Sequence, residues 1–208
     1  MDNLSMYYPK ELSWLAFNER VLQEASDTNN PVVERLRFLG IYSNNLDEFF
    51  RVRVAELKRS ISIAESNDLC VEAEEKRALL EQVQARVLKY SRQFDKIHKD
   101  IIRTLERYNI HLEKTETISA FHREWIESLF FNKILRHIAP ILVHNKVDLS
   151  QRLNGNALYF YVALKRAERA TKYAVVQVPT DEISRFILLP STKSKKEKRI
   201  ILLDDIVK

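Results

Sequence analysis

The feature that most constrains the fold is a long run of apolar residues at helical spacing. Between Leu80 and Tyr108 these residues recur in mostly alternating steps of three and four, which places them on one face of a helix. The run predicts a helix of roughly 35 to 40 residues, about 55 Å long at 1.5 Å per residue. A coiled-coil dimer is one interpretation of this seam. We favour a bundle in which shorter helices pack on the long one.

Three shorter helices are predicted before the long one. Ser13 is placed to cap the first, which has apolar residues at three- and four-residue steps. Pro31 suits the first position of the second, which runs to Gly40. Asn45, followed three residues later by Glu48, resembles a capping box and predicts the start of the third. The inward residues of the first helix are expected to be Trp14, Phe17, Val21, Leu22 and Ala25.

The pattern changes in the last third of the chain. A helix is predicted over residues 119–138, with Phe121, Trp125, Leu129 and Ile134 inward. Four runs rich in β-branched and aromatic residues follow, at 159–164, 173–178, 186–189 and 200–203. They predict an antiparallel meander with no helix after it.

The predicted fold class is therefore α+β. An N-terminal all-α helical bundle with one long helix occupies residues 1–109. An incomplete α/β domain with an antiparallel sheet occupies residues 110–208.

Residue counts exclude whole classes of site. Two of the 208 residues are glycine, Gly40 and Gly155, and they stand apart. The chain therefore lacks the glycine-rich phosphate loops of Walker, Rossmann and kinase sites. A single cysteine, Cys70, cannot form an internal disulfide and is expected to be buried or incidental. No apolar stretch approaches the roughly 18 residues that a membrane helix needs, and the N-terminus has no apolar signal core, so the cytoplasm is the expected location.

The net charge of +5 comes from the second half of the chain. Residues 1–110 hold 17 basic and 18 acidic side chains, whereas residues 111–208 hold 17 and 11. Five basic residues fall within the stretch 193–199. They are Lys193, Lys195, Lys196, Lys198 and Arg199. This basic run predicts a loop that contacts a polyanion or is simply solvated.

Few side chains have the spacing that catalysis requires. His144 begins an HNK triplet similar to the start of the phospholipase D-type HxKxxxxD signature, but position 151 is Gln151 and Asp148 comes three residues too early. For the other four histidines we expect surface or packing roles. Asp47 and Glu48 could hold a metal or act as acid and base. In the first turn of a helix, however, both are explained by capping and by the helix dipole.

Asn45 has two possible roles. Its amide offers the donors and the acceptor that pair with the exocyclic amine and a ring nitrogen of adenine. A residue at a helix entry is also well placed to face a cleft. From residue chemistry alone, capping of the helix is the stronger interpretation.

The chain as a whole resembles a known family. KELSWLAFNERVLQEASD at residues 10–27 and NPVVERLRFLGIYSNNLDEFFRVRVAELKR at 30–59 are similar to the start of a polyphosphate kinase of the phosphohistidine type. ISRFILLP and RIILLDDIV, later in the chain, are similar to that family's head domain. The resemblance runs nearly end to end but covers only the first part of a family member.

This resemblance implies an activity and a role for one residue. The family transfers the terminal phosphate of ATP reversibly to polyphosphate, using magnesium and a covalent phosphohistidine. The asparagine of its SNNLDEF stretch, Asn45 here, binds adenine. The head domain takes part in dimer contacts, so a homodimer or higher homo-oligomer is implied, in the cytoplasm or at the periphery of the inner membrane.

The same resemblance places the chemistry outside this chain. The nucleophilic histidine, the phosphate-binding arginines and the magnesium ligands are expected in later domains. His144 is then not catalytic, the chain holds no catalytic residue or metal ligand, and the chain alone is expected to be inactive.

A second interpretation is a non-catalytic module that binds nucleic acid or another polyanion through the basic run. No aromatic residue lies within the run to stack a base. Polyphosphate has no base to stack, so charge without aromatic residues favours polyphosphate slightly. A plain solvated loop remains an equal alternative.

Overall fold

The long helix that the apolar seam predicts is present in the structure, a computed structural model. It is α4 (Cys70–Arg107), with 38 residues. The structure describes residues 8–144, 148–165, 171–191 and 197–208. The chain divides after Leu105 into two units, residues 1–105 (unit 1) and 106–208 (unit 2). Within the described ranges, no helix is long and apolar enough to cross a membrane.

Unit 1 contains three further helices before α4. They are α1 (Lys10–Ser26), α2 (Val32–Phe49) and α3 (Ala55–Ser66). One π-helical turn (Phe50–Val54) joins α2 to α3. The backbone is therefore helical without a break from the start of α2 to the end of α3.

This continuity makes two predicted helix ends wrong. Gly40 and Asn45 both lie inside α2, so no helix ends at Gly40 and no capping box starts at Asn45. A glycine inside a helix costs only about 1 kcal/mol relative to alanine, and tertiary packing readily offsets that cost. Ser13 likewise lies inside α1, which begins at Lys10 after Pro9.

One apolar core joins α1, α2 and α4, which confirms the bundle packing. Val83 and Ile101 of the α4 seam are buried in this core. The ring of Trp14 on α1 stacks on Phe49 of α2 with centroids 4.7 Å apart. Phe17, predicted to face inward, is 60% exposed. The buried face of α1 instead follows a slightly rotated stripe made of Leu12, Leu15, Asn18, Leu22 and Ala25.

Arg35 links the same three helices from within the core. Its side chain is on α2 and is 4% exposed. Its Nε donates to the backbone oxygen of Ala25 at 2.9 Å, in the last turn of α1. Its Nη2 lies 2.8 Å from a carboxylate oxygen of Asp100 on α4. The cation therefore satisfies a carbonyl that the end of α1 leaves without an intrahelical partner.

Unit 2 combines short strands with two helices. The strands are β1 (Ile110–Glu113), β2 (Ile141–Val143), β3 (Tyr159–Leu164), β4 (Lys172–Gln177), β5 (Phe186–Leu188) and β6 (Lys198–Leu202). The helices are α5 (Ala120–Leu129), which continues through a π-helical turn (Phe130–Ile134) and a 3-10 turn (Leu135–His137), and α6 (Leu203–Val207). A 3-10 turn (Leu149–Gln151) precedes β3.

The strands form two three-stranded sheets. In the order β2–β4–β3 every pair is antiparallel, with Tyr161 and Ile141 on either side of Val175. In the order β1–β6–β5, β6 is parallel to β1 and antiparallel to β5. Ile201 of β6 is buried against Ile126 of α5. The second sheet thus has one face covered by helix.

These sheets confirm the α+β class but not the predicted meander. Consecutive strands β4 and β5 lie in different sheets, and β6 pairs with the distant β1. Strands β1 and β2, of four and three residues, are too short to show a period-two pattern. The chain also ends in α6, where no terminal helix was expected. The helix predicted from residue 119 begins at Ala120 with Ser119 as its cap, but Phe121, predicted to face inward, is 52% exposed and Ile126 is buried instead.

We expect Arg35→Met to lower the free energy of unfolding by about 2 kcal/mol. The substitution removes a charged hydrogen bond to a buried carbonyl, and such bonds contribute about 1.5 to 3 kcal/mol. Arg37→Met is the matched control, because Arg37 pairs with Glu34 on the exposed side of α2 and exposed pairs contribute 0 to 1 kcal/mol. Urea unfolding of both variants measures the difference. Equal losses would show that Arg35 does not hold the helices together.

Candidate functional site

The side chain of Asn45 lies where α2 meets α1. It is half-buried, and its Nδ2 donates to Oδ1 of Asn18 at 3.1 Å. Asn18, on α1, is 1% exposed, and its own Nδ2 donates to the backbone oxygen of Tyr42 at 3.2 Å. The two amides therefore form a chain of hydrogen bonds that links α1 to α2. Sequence reasoning did not identify Asn18, because a single polar residue within an apolar stripe gives no signal of its own.

Asn45 keeps recognition groups available after this contact. Its Oδ1 and one N–H form no hydrogen bond with the described residues. An amide oxygen beside an N–H is the pattern that pairs with an amine and a ring nitrogen of a purine edge. Asn45 lies inside α2, so it is not the helix cap that residue chemistry alone favoured, and its amide keeps one acceptor and one donor available.

Two tyrosines of the same apolar core differ in how their hydroxyls are satisfied. Tyr90 of α4 donates to a carboxylate oxygen of Glu19 at 2.8 Å. The Tyr42 hydroxyl is buried and has no hydrogen-bond partner among the described residues. Burial, with Glu19 nearby, raises the pKa of Tyr42 to about 12. Burial and the Glu19 hydrogen bond raise the pKa of Tyr90 to about 12.

The acidic pair Asp47 and Glu48 does not form a metal site with the described residues. Both are exposed and lie in the last turns of α2, not in the first turn of a helix as predicted. Asp47 pairs with Arg51 at 2.8 Å. In the ranges that the structure describes, no three His, Cys, Asp or Glu side chains come together in a way that could hold a metal ion.

The histidines and the cysteine take varied positions. His122 is buried between Ser119 and the oxygen of Pro190, which lies 3.0 Å from its Nε2. Because a carbonyl only accepts, Nε2 carries the proton. Asn145 and Lys146 of the HNK triplet lie outside the described residues, whereas His144 is described. Cys70 is free and exposed rather than buried.

The basic run is described only at its end. Lys193, Lys195 and Lys196 lie outside the described residues. Lys198 and Arg199 belong to β6, not to a loop. Lys198 is exposed, whereas the Arg199 guanidinium pairs with Glu113 and with Glu197. Two carboxylates therefore already neutralise the Arg199 charge.

A cleft of about 400 Å³ opens between α1 and α4. Its charged lining consists of Glu19, Arg35, Lys96, Asp100 and Arg103, and Asn45 is not part of the lining. Arg35 and Asp100 are paired with each other there. Because neither Asn18 nor Asn45 lines it, the cleft is not the place where Asn45 would meet a base.

Comparison with known proteins gives matches along almost the whole chain. The family model of the polyphosphate kinase N-terminal domain matches residues 7–113, and that of the polyphosphate kinase middle domain matches residues 121–208. Polyphosphate kinases of Vibrio parahaemolyticus, Klebsiella pneumoniae and Escherichia coli K12 are 41%, 43% and 42% identical over 208 residues. That alignment covers all of this chain and 29%, 30% and 30% of the relatives.

A solved structure shows the same fold. The crystal structure of polyphosphate kinase from Porphyromonas gingivalis superposes with a TM-score of 0.80 and 31% sequence identity. The match covers 98% of this chain and 30% of that chain. The chain thus spans under a third of the length of the relatives it matches.

We expect Tyr42→Phe and Tyr90→Phe to have different effects on stability at pH 7. Removing an unpartnered buried hydroxyl should leave the free energy of unfolding unchanged or raise it, because no hydrogen bond is lost. Removing the Tyr90 hydroxyl should lower it by about 1.5 kcal/mol, the size of a hydrogen bond to a charged group. Urea unfolding tests both. A large loss in Tyr42→Phe would mean that its hydroxyl has a partner in solution.

The same tyrosines should make the chain sensitive to alkali. Their pKa is raised from 10.0 to about 12 in the folded state, so the free energy of unfolding is not reduced by their ionisation below pH 10. Stability is lost progressively as the pH rises from 10 to 12, because the unfolded chain ionises these hydroxyls first. Stability measured between pH 9 and 11 should fall less steeply in each phenylalanine variant. Parallel curves for the variants and the parent would contradict the assignment.

Proposed function

The chain belongs to the polyphosphate kinase family, and we propose that it provides the adenine contact of an enzyme that transfers the terminal phosphate of ATP reversibly to polyphosphate. The transfer passes through a phosphohistidine and uses Mg²⁺. The histidine and the metal ligands lie in parts of the enzyme outside this chain. The role of the chain is to bind the base and to contribute to contacts between subunits.

The observation that carries this proposal is the amide of Asn45. It is held on rigid helix between two packed elements, which positions a recognition group more accurately than a loop does. Its oxygen can accept a hydrogen bond from the adenine amine, and its N–H can donate to a ring nitrogen. Asn45 is also the second asparagine of the SNNLDEF stretch that this chain has in common with the family.

The backbone of this chain fits a role in binding the base of ATP rather than its phosphates. Phosphate loops depend on glycines that let bare backbone approach the ligand. Gly40 lies inside α2, and no glycine in the described residues has a positive φ. This chain then binds ATP at the base, and arginines and a histidine elsewhere in the enzyme bind the phosphates.

For the whole enzyme we propose a homodimer or higher homo-oligomer to which unit 2 contributes. One face of the β1–β6–β5 sheet supports this role, since Leu112, Phe186 and Leu188 on it are 37%, 65% and 60% exposed. Leu112 and Leu188 flank Ile200 in register, so the exposed side chains adjoin one another. Contiguous apolar surface of this kind is typical of interaction sites.

We expect Asn45→Ala to raise the KM for ATP about tenfold in a full-length polyphosphate kinase that contains this chain, with a smaller effect on kcat. The amide would contact adenine in both the ground state and the transition state, so its loss weakens binding uniformly. Asn44→Ala is the matched control, because Asn44 is the exposed neighbour on the same helix. Steady-state kinetics with varied ATP measure both. An unchanged KM in Asn45→Ala would remove the residue from the adenine site.

For the basic run we propose a contact with polyphosphate. Replacing Lys193, Lys195, Lys196 and Lys198 with serine should weaken polyphosphate binding and flatten its dependence on salt, by analogy with the phosphates of nucleic acid. Arg199→Ser should have less effect, since Glu113 and Glu197 already neutralise this charge. A second variant, with Lys58, Lys89, Lys96 and Lys99 replaced by serine, loses the same charge outside the basic run and is the control. An equal salt slope in the two lysine variants would reduce the run to a solubilising role.

A further inference from the structure

We propose that Asn18 makes the site selective for adenine over guanine by fixing the direction in which the Asn45 amide points. Asn18 is a positioning residue: it touches Asn45 and not the nucleotide. This inference rests on the proposed adenine contact of Asn45.

The direction of the amides is set by a group whose polarity is unambiguous. The backbone oxygen of Tyr42 can only accept, so the part of the Asn18 amide that faces it at 3.2 Å must be the NH₂ group. The Asn18 oxygen then faces Asn45 and can only accept from it, which fixes the Asn45 nitrogen at 3.1 Å. Reversing either amide would bring two acceptors or two donors together.

Burial makes such a reversal costly. Asn18 is 1% exposed, so water cannot replace a lost partner. A buried polar atom without a partner costs about the full penalty of removing it from water. The orientation of Asn18 is therefore fixed, and Asn45, although half-buried, inherits that orientation.

The spacing of the two amides is fixed by the packing one turn away. Trp14 precedes Asn18 by four residues, and Phe49 follows Asn45 by four residues. These two rings stack with centroids 4.7 Å apart and an angle of 18° between their planes. Residues four apart lie on the same helix face, so the stacked rings hold α1 against α2 beside the amide pair.

The fixed orientation has a consequence for base recognition. At position 6, adenine carries an amine, which donates, whereas guanine carries an oxygen, which accepts. With its nitrogen held by Asn18, Asn45 presents its oxygen, which pairs with the adenine amine and faces the guanine oxygen unfavourably. An amide free to rotate by 180° would suit either base. Selectivity then comes from Asn18, and affinity comes from Asn45.

The test compares two substitutions at Asn18 in a full-length polyphosphate kinase that contains this chain. Asn18→Leu removes the acceptor for Asn45, and Asn18→Asp keeps it while losing the donor to Tyr42. The unsubstituted enzyme should have a lower KM for ATP than for GTP. Asn18→Leu should lower the ratio of the KM for GTP to the KM for ATP about tenfold, which is within the range of base discrimination that bidentate amide–base pairs provide. Asn18→Asp should be less stable yet keep the ratio.

Two controls separate orientation from stability and from the proposed function. Tyr90→Phe loses a hydrogen bond between α4 and α1 without touching either amide, so it should keep the ratio. Asn45→Ala should raise the KM for ATP. If Asn18→Leu does not fold, Asn18→Ala takes its place.

Three outcomes would overturn the inference. The first is an equal KM for ATP and GTP in the unsubstituted enzyme. An unchanged ratio in folded Asn18→Leu, with Asn45→Ala still raising the KM for ATP, would overturn the role of Asn18 and leave the adenine contact intact. An unchanged KM for ATP in Asn45→Ala would overturn both.

Discussion

The apolar seam of α4 is the constraint on which unit 1 depends. Once α1 and α2 pack on it, the polar side chains that share their buried faces must find partners within the protein. Arg35 meets the Ala25 carbonyl and Asp100, and Asn18 meets Tyr42 and Asn45. These polar links follow from the packing and give it specificity. The recognition group proposed for adenine is therefore positioned by contacts that also stabilise the fold.

The sequence predicted the parts of this arrangement that depend on repetition. The seam repeats its spacing along α4 from Leu80 to Leu105, so exposed Tyr108, which follows the end of the helix, does not hide it. Helix ends were less predictable because Gly40 and Asn45 carry local breaking signals that tertiary packing offsets. Asn18 was missed for a related reason: one polar residue in an apolar stripe has no signal until its neighbour across the interface is known.

The sheets show the limit of local patterns more strongly. The runs at 159–164 and 186–189 identified β3 and β5 closely, because strand composition is a local property. Pairing is not local: β6 lies between β5 and the distant β1, and the Glu113–Arg199 ion pair joins the parallel strands. The role of Asn45 also came from the family resemblance, since residue chemistry alone favoured a cap.

The π-helical turn between α2 and α3 acts as a phase slip in an otherwise regular helix. Each such turn adds one residue, and one residue corresponds to about 100° of rotation. Counted by residue number, the buried positions Leu57, Ile61 and Ala64 of α3 are therefore one residue out of step with Leu39, Tyr42 and Phe49 of α2. Once the extra residue is subtracted, Leu57 lies seven α-helical positions, or about two turns, after Phe49, so the apolar stripe of α2 continues along α3 on nearly the same face. A chain shortened by one residue within Phe50–Val54 would therefore become regular α-helix there and would keep the α3 stripe aimed at the same neighbours.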